Sequence, residues 1–146
     1  MRNFVLYFLA FLCSSILSNK CYSHDKDSIF IKIDHLESVN RLDIELFMSY
    51  FDDSYDDNIE ISESRNEMLF KLLSYVNPCL FIKTLSTQSE NIINSIFFNI
   101  RHPINDQIDI SKVLRNINLW KKCKTKSRDN FALYEELVNA LRYPTK

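Results

Sequence analysis

The sequence predicts an all-α protein: a compact bundle of five or six short helices in antiparallel pairs, following an N-terminal signal peptide. Three observations carry this. The chain of 146 residues contains no glycine. Tight hairpins need backbone that only glycine adopts cheaply, so β-meanders are disfavoured while helix–helix turns built on Asn, Asp, Ser and Pro remain open. Apolar residues recur at helical spacing behind recognisable start signals. Alternation with period two occurs only at Ile29, Ile31 and Ile33, where a lone strand would have no partner and a first helical turn is the competing reading.

The elements follow in order. Asp34 and Glu37 have the spacing of a capping box ahead of Leu36, Val39, Leu42, Leu46, Phe47, Tyr50 and Phe51. Ser64 and Glu67 repeat that spacing ahead of Met68, Leu69, Leu72, Leu73 and Val76. Asn77-Pro78 ends this helix and starts a short one, with Pro at its preferred first position. Thr87 and Glu90 form a third box before Ile92, Ile93, Ile96, Phe97 and Ile100, and Pro103 stops that helix. Asp109 can cap a helix carrying Ile110, Val113, Leu114 and Ile117. The last helix, from about Asn130 to Arg142, presents Phe131, Tyr134, Leu137, Val138 and Leu141, and Tyr143-Pro144 closes it.

Organisation follows from the first residues. Arg2 precedes an apolar run from Phe4 to Leu17 broken only by Ser14 and Ser15, with a polar exit at Ser18, Asn19 and Lys20. A basic start, a short apolar middle and a polar exit describe a signal peptide over residues 1–23, cleaved after Ser23 or, alternatively, after Ser18. The run falls short of the roughly 20 apolar residues a spanning helix needs, so no stable membrane span is expected after cleavage. Residues 24–146 then form a single helical domain, exported to a bacterial periplasm or secreted. With 11 Phe, 7 Tyr and 1 Trp in the whole chain, a real core is available.

Removing residues 1–23 takes Arg2 and Lys20 and no acid, leaving 16 bases against 19 acids, a net charge of −3. Nucleic acid is therefore not expected as a partner. The absence of glycine also excludes the Rossmann fingerprint, the P-loop and the G-x-S-x-G elbow as written, and no cofactor is expected. Cys79 and Cys123 remain after cleavage, 44 positions apart. In an exported chain such a pair reads as a disulfide, contributing about 4 kcal/mol on chain-entropy grounds.

Charge is segregated. Residues 52–67 hold seven acids and one base, Arg65, whereas residues 112–128 hold seven bases and no acid. The acidic stretch DDSYDDNIEISE lays Asp52, Ser54, Asp56, Asn58, Glu60 and Glu63 on the oxygen-ligand positions of a calcium loop. Asp57 occupies the position that normally demands Gly, and Ser64, Glu67 and Lys71 sit where an exiting helix should be apolar. An acidic connection leading into a helix N-terminus is the better reading, and no metal is expected.

Two surfaces compete for function. Trp120, Lys121, Lys122, Lys124, Lys126 and Arg128 surround Cys123 in a basic segment suited to a partner, expected to be another protein, because Trp and Arg are enriched at interface hot spots. The alternative reading turns Trp120 into the core and leaves a solvated loop. Arg101-His102-Pro103-Ile104-Asn105-Asp106 gathers acid–base groups that a small hydrolase-like envelope enzyme could use, although the same residues make a good helix stop. No nucleophile with a base and no Cys/His ligand spacing accompanies them. Size, signal, a single disulfide and no catalytic constellation together resemble periplasmic immunity proteins, a resemblance of architecture that implies neutralisation of a secreted toxin by binding.

Overall fold

A computed structural model describes residues 28–36, 38–52, 59–124 and 127–144. The expected signal peptide lies outside the described residues, as do Glu37 of the first expected box, Ser54, Asp56 and Asn58 of the calcium alignment, and Lys126 of the basic segment. The described residues are all helical, with no strand among them. They form α1 (28–35), α2 (Arg41–Ser49), α3 (Ile59–Tyr75), α4 (Pro78–Leu85), α5 (Glu90–Arg101), α6 (Ile110–Ile117), a 3-10 turn (Asn118–Lys122) and α7 (Arg128–Arg142).

The Ile29–Ile33 alternation resolves as helix. Ile29 and Ile33, four apart, are buried, and Ile31 points outward at 58 % exposure. Burial with a period of four is what a helix produces. The expected box beginning at Asp34 is not where the next helix starts. Leu36 and Ser38 take left-handed backbone, with φ of 53° and 46°, and break the chain between α1 and α2. Asn40 is the cap: its Oδ1 accepts from the Leu42 and Asp43 amides at 2.8 and 3.2 Å, and Asp43 accepts from the Asn40 amide at 2.8 Å. Both members of this box satisfy otherwise orphaned donors, which places the boundary here.

Two further starts shift. α3 begins at Ile59, so Ser64 lies inside a 17-residue helix and caps nothing. Carboxylates such as Glu60 are favourable in a first turn, and nothing between Ile59 and Ser64 interrupts the helix. α5 is capped by Ser89, whose Oγ accepts from the Ile92 amide at 3.4 Å. Thr87 instead serves the preceding helix, its hydroxyl donating to the Thr84 carbonyl at 2.8 Å. Asn77-Pro78 and Asp109 cap α4 and α6 as the sequence predicts.

The buried side chains form one cluster drawn from every helix. α3 packs on α5 and α6, α7 on α4, α5 and α6, and α2 on α4 and α5. α1 is tied on by ion pairs from Lys32 to Asp43 at 2.6 Å and from Lys71 to Asp34 at 2.5 Å. Arg65, the one base of the acidic stretch, is buried and completes a helix end. It donates to the Tyr50 carbonyl at 2.5 Å at the end of α2, with its guanidinium 4.8 Å from the Phe51 ring centre. A cation there answers the negative end of the helix. No helix of the described residues is long and apolar enough to cross a membrane.

Candidate functional site

The basic segment is held at three points. α6 runs into the 3-10 turn, which drives Trp120 into the core at 2 % exposure. Its indole stacks on Tyr134 of α7, centroids 4.6 Å apart and planes at 16°. Trp120 is therefore an anchor of the segment and lies beneath the surface, so its expected role as a partner contact is replaced by a packing role. Three residues later, Cys79 and Cys123 meet at disulfide distance, with a Cα–Cα separation of 5.9 Å. This bridge ties the end of the 3-10 turn to the first turn of α4. Ser127 then caps α7, its Oγ accepting from the Asn130 amide at 3.1 Å.

Along this segment Lys121, Lys122, Lys124 and Arg128 are all exposed. Burial of Trp120 supplies the ordering that the lysines themselves cannot, since long cationic side chains gain little from ordering at a surface.

A groove of about 510 Å³ opens on the α4 side of this segment, lined by Tyr75, Asn77, Pro78, Cys79, Asn116, Leu119 and Lys122. Tyr75 and Leu119 are 56 % and 46 % exposed. Asn116 braces the groove by donating to the Leu73 and Val76 carbonyls at 2.9 and 2.8 Å, closing the end of α3. Lys112, which lines the neighbouring groove beside α3, holds Tyr75: its Nζ donates to the Tyr75 hydroxyl and lies 3.7 Å from the ring centre. That hydrogen bond, with the lysine's charge, holds the Tyr75 phenol below its ordinary pKa of 10.0. Neither Tyr75 nor Leu119 is singled out by motif or composition. Their signal is one of phase: Tyr75 falls off the stripe set by Leu69, Leu72 and Leu73, and Leu119 off that of Val113 and Ile117.

The Arg101–Asp106 connection is assembled as structure. Asn66, fully buried in α3, donates to the Asn99 and His102 carbonyls at 3.0 and 3.4 Å and accepts from the Ile104 amide at 3.2 Å. His102 turns Nδ1 to the Phe98 carbonyl at 2.8 Å. Arg101 reaches Glu136 of α7 at 3.1 Å, and Asn105 donates to Glu67 at 2.9 Å. These bonds draw the polar groups to three different elements. Of the calcium alignment, Glu60 and Glu63 stand exposed in the opening turns of α3, and Asp52 follows the Arg65-capped end of α2. Comparison with known proteins finds no matching family, no matching curated protein and no matching solved structure.

Proposed function

We propose that this chain is exported and acts by binding another protein, with no chemistry of its own. The reading extends to a compact bundle of antiparallel helix pairs that presents one rigid basic face, in the manner of a periplasmic immunity protein neutralising a secreted toxin. The observation that carries it is the display of Lys121, Lys122, Lys124 and Arg128 on backbone anchored by Trp120 and by the Cys79–Cys123 bridge. Pre-organised cations of this kind speed encounter and orient an acidic partner. The apolar run from Phe4 to Leu17 and the cysteine pair support export.

The test uses the tagged full chain expressed in its source cells. A single stoichiometric partner is expected in the exported fraction, lost when Lys121, Lys122, Lys124 and Arg128 are changed together to Glu. Retention of the partner by that variant removes the basic face from the reading. Absence of any partner, with a hydrolytic activity that disappears in His102→Ala, replaces binding by catalysis. Mass measurement of the exported chain tests processing, with His24 as the expected first residue.

A further inference from the structure

Among the described residues, three grooves include part of the basic segment 112–128, and their walls differ in charge. The one beside Trp120 and Phe131 sets Glu135 against Lys121 and Arg142. The one beside α3 sets Glu67 and Asp109 against Lys71 and Lys112. The groove at the disulfide has Lys122 in its wall and no carboxylate. It is also the groove bordered by two large exposed apolar side chains, Tyr75 and Leu119. Its volume of about 510 Å³ sits inside the roughly 300–1,000 Å³ typical of ligand-sized clefts.

From this we infer that the Tyr75–Leu119 groove is a docking site for an acidic segment of a partner protein, which inserts one apolar side chain between Tyr75 and Leu119 and sets its carboxylates against Lys122 and Lys112. Charge complementarity selects this occupant. Lys122 lines the groove with Leu119, and Lys112 stands 3.7 Å from the Tyr75 ring centre, so a cation accompanies each of the two apolar side chains. A basic segment would instead meet like charge at Lys122 and Lys112. An apolar anchor within a polar rim is the usual anatomy of an interface. The inference deepens the proposed binding function and rests on it.

The experiment titrates the isotope-labelled full chain with the capped hexapeptide Glu-Asp-Phe-Leu-Asp-Glu, followed by backbone amide shifts. Shifts are expected at Tyr75, Leu119 and Lys122, and none with a peptide carrying Lys in place of each acid. Tyr75→Ala, Leu119→Ser and Lys122→Glu should each weaken binding about thirtyfold, the size of one hot-spot contact. All three side chains are exposed, so unchanged melting temperatures are expected and report intact folding. Equal shifts with both peptides overturn the inference. Shifts confined to Lys121, Lys124 and Arg128, untouched by Tyr75→Ala, overturn the groove while the basic-face reading stands. No shift with either peptide, while the full chain still captures its partner through the basic segment, has the same meaning. Tyr75-dependent sedimentation with phosphatidylglycerol-containing vesicles, without peptide binding, assigns the groove to lipid and overturns the inference. A dimer in light scattering that Tyr75→Ala dissolves assigns the groove to a second copy and likewise overturns it.

Discussion

At the scale of single residues, the buried amides and the surface ion pairs do different work. Asn66 joins α3 to the end of α5 through both its amide oxygen and its nitrogen, without exposure to water. Replacing it with Ala strands a carbonyl and an amide donor, so Asn66→Ala should lose about 1–3 kcal/mol in urea unfolding. A loss below a few tenths would mean that the connection is held by other contacts. Asp34 and Tyr75 are exposed and report their lysines by titration. The hydrogen bond and charge of Lys71 lower the Asp34 pKa from its ordinary 3.8. A carboxylate depressed in the folded state adds stability above its unfolded value, and that stability is lost as pH falls through the folded value. The window therefore lies below 3.8. In an NMR titration Lys71→Met should return Asp34 to its ordinary value. By the same logic Lys112→Met should raise the Tyr75 midpoint, read from phenolate absorbance, toward 10.0.

At the scale of elements, the absence of glycine has a local cost. The α1–α2 connection needs left-handed backbone at Leu36 and Ser38, where a side chain costs roughly 1–2 kcal/mol. Ser38 is exposed, so glycine there loses no packing. Ser38→Gly should stabilise the fold by about 0.5–1 kcal/mol after glycine's extra chain entropy is subtracted, and Ser38→Val should destabilise it. Thermal melts of both variants check the sign, and an unstable Ser38→Gly protein would contradict the strain. Helix existence and type were legible from apolar spacing over α3, α5 and α7, whose buried residues are those at i, i+3 and i+4. Boundaries were less so. Ser64 and Thr87 match a cap by spacing, but a cap forms only where the preceding backbone leaves the helix, and spacing does not report that.

For the molecule as a whole, the cysteine bridge is a long-range constraint among the described residues, joining positions 44 apart. It holds α4 to the 3-10 turn, and with Trp120 it sets the posture of the basic segment. Replacing both Cys79 and Cys123 with Ser should lower unfolding stability by about 2–4 kcal/mol. Alkylation before and after reduction provides the covalent check: equal masses would show that no bridge forms. Because the bridge lies in the wall of the Tyr75–Leu119 groove, the same double variant should weaken acidic-peptide binding even at temperatures where it remains folded.

Composition and periodicity were enough to read an all-helical chain, a paired Cys79 and Cys123 and a segregated basic segment, since each depends on residue type and local spacing. The direction of Trp120, the dispersal of the Arg101–Asp106 groups and the placing of Tyr75 and Leu119 in one groove were not readable in that way. Each is set by contacts between residues far apart in the chain: Trp120 with Tyr134, Asn66 with Ile104, Asn116 with Leu73. Such contacts form when whole helices pack and bury their apolar faces together, and no local window of sequence contains both partners.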